Sequence, residues 1–89
     1  MVYSVELSGD AQRFLNKLED SIKERIENRL RKLGEIAVPS DAKFIGRDEK
    51  NDKIFRYRIG DYRALYKVKD SDKIILIAKI DKRPRIYKL

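Results

Sequence analysis

The sequence predicts an α+β domain: an N-terminal strand, a helical hairpin, then an antiparallel sheet of three further strands. Three observations predict it. Residues 2–7 alternate in polarity, residues 8–34 carry apolar side chains at helical spacing, and strand-like runs from Ile54 onward are separated by short turn sequences. The 89 residues suit one compact domain over residues 1–89 and leave no room for a second core. At 42% apolar, the chain is too hydrophobic for a disordered tail.

In the first strand, Val5 and Leu7 share one face and Ser4 and Glu6 the other. Ser8 can cap a helix whose apolar positions Ala11, Phe14, Leu15 and Leu18 follow i, i+3, i+4, i+7 spacing. Ser21-Ile22-Lys23-Glu24 reads as a capping box opening a second helix. Its stripe runs Ile22, Ile26, Leu30, Leu33, and Gly34 followed by Pro39 ends it. Residues 46–53 hold no apolar side chain and read as a loop. Residues 54–59 and 62–68 then flank Gly60-Asp61, a two-residue connection with Gly first that suits a type II′ hairpin. Asp70-Ser71-Asp72 forms the next turn, and residues 73–80 are nearly continuous apolar, as in a central strand. Residues 81–89 form a basic tail around Pro84.

Composition narrows the chemistry. With no cysteine and no histidine, disulfides, zinc sites, Cys/His pairs and Ser-His-Asp triads are excluded. Any reaction must run on Lys, Arg, Tyr, Ser, Asp or Glu. No cofactor and no metal are expected: Asp48-Glu49 with Asp52, and Asp70-Ser71-Asp72, read as acidic turn residues. The longest apolar run, residues 74–78, is far short of the roughly 20 residues of a spanning helix. The N-terminus lacks the pattern of an export signal, so a cytoplasmic protein without a membrane partner is expected.

Twenty-two basic against 15 acidic residues give a net charge of +7, and its distribution is uneven. Residues 9–36 carry seven basic and six acidic side chains, whereas residues 53–89 carry twelve and four. The mixed half reads as an ion-paired helical surface. The one-sided half suggests a polyanionic partner. Period two puts Phe55, Tyr57 and Ile59 on the face that meets the helices and Arg56 and Arg58 on the opposite one. The same reading of the next strand sends Tyr62, Ala64, Tyr66 and Val68 inward and Arg63 outward, beside Arg56 and Arg58. Like charges on neighbouring strands repel, so folding alone does not favour the cluster, whereas anion binding would. Solvation, or pairing with Asp61, Asp70, Asp72 or Asp81, is the alternative. The tail adds Lys82, Arg83, Arg85, Tyr87 and Lys88, in which guanidinium groups suit phosphate and the tyrosine suits stacking on a base.

Residues 55–66, Phe-Arg-Tyr-Arg-Ile-Gly-Asp-Tyr-Arg-Ala-Leu-Tyr, resemble the central signature of the RelE/ParE superfamily of toxin–antitoxin toxins. Arg83 followed four residues later by Tyr87 resembles the closing motif of its RelE branch, and the chain looks most like an archaeal RelE. The resemblance implies a RelE-like microbial RNase fold and a toxin of a type II system. It implies ribosome-dependent cleavage of mRNA in the A site, so that translation stops. The 2′-OH attacks the adjacent phosphate, leaving a 2′,3′-cyclic phosphate and a 5′-hydroxyl. The implied partners are a RelB-type antitoxin, the ribosome with its 16S-type rRNA, and the A-site mRNA.

Carried over residue by residue, Arg56 and Arg58 fall at two catalytic basic positions and Arg63 at a phosphate-binding arginine. Arg83 falls at the leaving-group acid and Tyr87 at the base-stacking tyrosine. Lys82, Arg85 and Lys88 join the RNA-binding set. Well-known bacterial RelE toxins have lysines where this chain has Arg56 and Arg58. Lysine can act as a base when its pKa is depressed; arginine does not lose its proton in proteins. The resemblance therefore leaves the general base unassigned, with ribosomal RNA groups, solvent or Tyr87 as alternatives, and implies a poor nuclease without the ribosome. A ParE-like inhibitor of DNA gyrase that is not an enzyme, and an inactive RNA-binding relative, are the other readings.

Overall fold

A computed structural model describes residues 2–82 of the chain. Strand β1 (Ser4–Leu7) leads into α1 (Gly9–Asn16) and α2 (Asp20–Arg31), and a 3₁₀ turn over Lys32–Gly34 closes the helical segment. Strands β2 (Ala42–Arg47), β3 (Lys53–Ile59), β4 (Tyr62–Lys69) and β5 (Ile74–Lys82) follow. All five strands join one sheet in the order β1-β5-β4-β3-β2, with β1 parallel to β5 and the other pairs antiparallel. The α+β architecture is as expected, with one correction: among the described residues four strands follow the helices, not three.

Ser8 caps α1 as its sequence position suggests. Its Oγ accepts from the Ala11 amide at 3.1 Å and donates to the Ala78 carbonyl at 2.8 Å, so one hydroxyl both starts the helix and ties it to β5. The capping box at Ser21 does not form. The second helix opens at Asp20, with Glu19 in the cap position and no side-chain cap bond. The Leu18 amide donates to Leu15 as α1 ends, so the link to α2 is too short to leave Ser21 outside the helix.

The added strand is β2, which occupies part of the predicted loop. The loop proper is residues 48–52, organised by the Asp48 carboxylate, which accepts from the Lys50 and Asp52 amides at 3.0 and 2.9 Å. Ile59 pairs directly with Tyr62, and Gly60 sits at φ +59 while Asp61 keeps negative φ, which is the type II′ pattern predicted. Lys73 belongs to the last turn, at φ +57, and not to the strand it precedes.

The core lies between the helices and one face of the sheet. Leu15 and Ile26 from the helices, Leu33 from the 3₁₀ turn, and Tyr66, Ile75 and Ile77 from the sheet are its fully buried side chains. Tyr66 stacks on Phe55 at 5.4 Å, meets Tyr57 edge-on, and donates its hydroxyl to the Ala37 carbonyl at 2.7 Å. That bond fastens the segment leading into β2. Burial, then the charges of Tyr57 and Asp41, push the Tyr66 phenol well above the usual range and keep it a donor. Phe55, Tyr57 and Ile59 point inward from β3, as do Tyr62, Ala64, Tyr66 and Val68 from β4, so the period-two reading holds on both strands.

Candidate nucleic-acid interface

The strand register builds a cationic cleft. On β3, Arg56 stands opposite Lys43 of β2, and Arg58 stands opposite Arg63 of β4. Residues directly opposite share a sheet face and lie close together, so these are two like-charge cross-strand pairs. Arg56 and Arg58 are two residues apart and therefore on that same face. The three arginines singled out from the sequence are brought together.

The face is less open than expected. Arg63 is 6% exposed and Leu65 7% exposed, although both point away from the helices. The reason is position: β4 is the middle strand, and Leu65 has Arg56 on one side and Lys79 on the other in register. Asp81 of β5 stands opposite Arg63, so a carboxylate flanks it on the side away from Arg58. Arg58 itself is exposed. Arg63 thus forms the floor of the cleft and Arg58 its rim.

The helix layer adds a residue that sequence patterning did not suggest. The β2–β3 pairing stops where Ala42 meets Tyr57, which leaves the edge of β3 at Arg58 accessible. Arg29 of α2 reaches that edge. Its Nε and Nη2 donate to the Tyr57 hydroxyl at 3.2 and 3.1 Å, and Nη2 also donates to the Arg58 carbonyl at 3.4 Å. An ion pair with Asp41 at 3.5 Å completes its surroundings. Arg29, Asp41, Lys43, Arg56, Arg58 and Arg63, with Gly60, line a cleft of about 380 Å³. Five cationic side chains and one carboxylate therefore surround a space that fits a phosphate with part of its sugar.

Five cations around one carboxylate form a setting whose charge suits an anion. Among the described residues, no group of three or more carboxylates is arranged to hold a metal ion. Asp48 serves its turn and pairs with Lys67 at 2.8 Å, and Asp70 accepts from the Tyr3 hydroxyl at 2.5 Å. Of the remaining predicted RNA-binding residues, Lys82 ends β5 and is exposed. Arg83, Arg85, Tyr87 and Lys88 lie outside the described residues. No helix among the described residues is long and apolar enough to cross a membrane. Lys43, Arg29 and Asp41 are the cleft residues that sequence reasoning missed. None of the three carries a sequence signal: Lys43 lies on the irregular β2, Asp41 in the turn before it, and Arg29 on a helix of mixed charge.

The sequence pattern of the family described as "ParE toxin of type II toxin-antitoxin system, parDE" matches residues 5–87. A Methanocaldococcus jannaschii protein named "Putative toxin RelE1" is 31% identical over 99% of this chain and 98% of its own length. The fold matches the archaeal RelE–RelB complex of Pyrococcus horikoshii with a TM-score of 0.83, at 28% identity, over 96% of this chain and 99% of that one. It also matches the RelBE2 toxin–antitoxin complex of Mycobacterium tuberculosis with a TM-score of 0.76, at 27% identity, over 93% and 100% of the two chains.

Proposed function

Because the chain belongs to the ParE toxin family of type II toxin–antitoxin systems, within the RelE/ParE superfamily, we propose that its cleft binds mRNA in the ribosomal A site and promotes its cleavage. The observation that carries this reading is the paired stacking of like charges, Lys43 with Arg56 and Arg58 with Arg63, around one phosphate-sized space. Like charges directly opposite one another weaken a sheet, and an anion bound between them would relieve that repulsion.

In this reading Arg63, held by its strand neighbours, fixes the scissile phosphate. Arg56 and Arg58 stabilise the extra negative charge as the mRNA's own 2′-OH attacks and phosphorus becomes pentacoordinate. Arg83 assists departure of the 5′ oxygen and Tyr87 stacks on a base, both roles carried by resemblance alone. Electrostatic stabilisation and positioning are what the arrangement supplies, and the ribosome supplies the ordered mRNA. A RelB-type antitoxin, as in the complexes of the Pyrococcus and Mycobacterium relatives, would neutralise the cleft with acidic or amphipathic segments.

The test is a cell-free translation reaction with the purified protein, mapping mRNA 5′ ends by primer extension, beside the same mRNA without ribosomes. Cuts at A-site codons only with ribosomes are expected, and Arg63→Ala should abolish them while the folded protein persists. A folded protein that cuts in neither reaction refutes the reading. The ParE description of the matched family then favours gyrase inhibition, and a supercoiling assay would decide it.

A further inference from the structure

Cleavage through the 2′-OH needs a proton acceptor, and arginine does not lose its proton in proteins. Four of the five cations of the cleft are arginines, and the fifth is Lys43. Asp41 is the one carboxylate among the described residues that lines the same space. We propose that Asp41 is the general base of the reaction, an inference that rests on the reading above.

The structure builds Asp41 into the cleft by local means. The Ala42 amide donates to the Pro39 carbonyl at 3.0 Å, closing a turn over residues 39–42 with Asp41 at its third position. The segment before it is tied down where the Tyr66 hydroxyl meets Ala37. Asp41 thus stands in the turn just before β2 and lines the cleft together with Lys43. Its side chain is 55% exposed, so a substrate hydroxyl can reach it.

Its one close cation, Arg29, stands 3.5 Å away, longer than a tight charge-assisted bond, and is itself anchored by Tyr57 and Arg58. A base with an orienting partner that is in turn held in place is the arrangement this chemistry needs. The charged and titratable groups facing Asp41 are Arg29 from α2, Lys43 from β2, Arg56 and Arg58 from β3, and Arg63 and Tyr66 from β4.

In the step, an Asp41 carboxylate oxygen takes the 2′-OH proton as O2′ forms its bond to phosphorus. The bond from phosphorus to O5′ breaks, and the departing oxygen is protonated by water. The products are a 2′,3′-cyclic phosphate and a 5′-hydroxyl, and Asp41 returns its proton to solvent. No water is consumed and no oxidant or metal takes part.

The experiment is single-turnover cleavage of A-site mRNA on programmed ribosomes, comparing Asp41→Asn with the parent between about pH 5.5 and pH 8.5, across which a free carboxylate is ionised. The ratio of variant to parent rate at each pH cancels the ribosome's own pH dependence. We expect Asp41→Asn to be about 10²–10³-fold slower near neutrality. The ratio should climb about tenfold per pH unit as hydroxide takes over the proton. Asp41→Glu should restore much of the rate.

A ratio near one at every pH overturns the proposal. So does a slow variant whose ratio is flat with pH, which would make Asp41 a positioning residue acting through Arg29. If instead Lys43→Gln shows the rising ratio and Asp41→Asn does not, lysine is the base and the proposal also falls. A parent protein that cleaves nothing removes the underlying reading and is distinguished from all three results. Unchanged thermal melts of the variants confirm that only the chemistry was altered.

Discussion

Replacing Lys43 and Arg58 together by glutamine tests whether the cleft is the surface that meets nucleic acid. Both side chains are exposed and each stands opposite an arginine on the neighbouring strand. Their loss should therefore change folding stability by less than about 0.5 kcal/mol. RNA binding should respond much more. On single strands each phosphate contact contributes about 0.7 to the slope of log affinity against log salt, so removing two lowers the slope by about 1.4. Between about 50 and about 200 mM salt the parent should then lose roughly sevenfold more affinity than the variant does.

The assay is fluorescence anisotropy with a short labelled single-stranded RNA, titrated at several salt concentrations. The control is Arg13→Gln with Lys17→Gln, which removes the same net charge from exposed positions on α1 and at its C-terminal cap. If the two double variants reduce the slope equally, only overall charge matters and the cleft has no special role. A slope reduced by the α1 variant alone would place the RNA at α1 and not in the cleft. Either outcome refutes the reasoning from strand register.

Two further predictions concern the framework. A Cβ added at Gly34 would stand 2.8 Å from the Tyr3 carbonyl oxygen, and the Tyr3 amide already donates to the Gly34 carbonyl at 2.8 Å, so neither backbone can move freely. Gly34 does not adopt positive φ. The chain-entropy gain of about 0.4–1 kcal/mol is therefore opposed by a packing cost of about 1–3 kcal/mol. Gly34→Ala should lose about 1–2 kcal/mol in urea unfolding, and equal or greater stability would contradict the contact. The hydrogen bond from Lys67, helped by the Asp52 amide, lowers the Asp48 carboxyl from its ordinary 3.8 to about 2. A depressed folded-state pKa stabilises the fold above the unfolded value and loses that effect as pH falls through the folded one. Asp48→Asn should therefore be less stable than the parent at neutral pH, and the gap should close between about pH 4 and pH 2 in thermal melts. A gap that is undiminished at pH 2 would mean that the carboxylate's charge is not the source.

Much of the framework is written locally, and what is not legible has physical causes. Ser8, the helical stripe from Ile22 to Leu33, and Gly60-Asp61 each act through neighbours in sequence, so pattern and geometry agree. Strand β2 escapes because its alternation breaks: the pairing with β3 shifts between Phe44 and Gly46, a bulge that puts Phe44 and Ile45 side by side in sequence. It is also an edge strand, with both side chains about half exposed. Ser21 mimics a cap because the motif depends on residue types, whereas the helix start depends on how short the preceding turn is. For the cleft, period two finds Arg56, Arg58 and Arg63 because all lie on regular strands. Arg29 looks like any charge on a mixed helix. Only the end of β2 at Ala42 shows why it reaches across to the sheet edge.

The order of strands in the sheet has a consequence for how the protein is made. Strands β2, β3 and β4 can pair one after another as they leave the ribosome, each beside its predecessor, so the cationic cleft takes shape along with them. Strand β1 is synthesised first yet has only β5 as a neighbour, with Ser4 opposite Ile74 and Leu7 opposite Ile77. Strand β5 is therefore a keystone inserted between β1 and the centre of the sheet. Translation interrupted before Ile74 would leave β1 stranded and one edge of β4 bare. Products truncated before β5 would then be open, degradable chains, and the folded domain would exist only once β5 had been made.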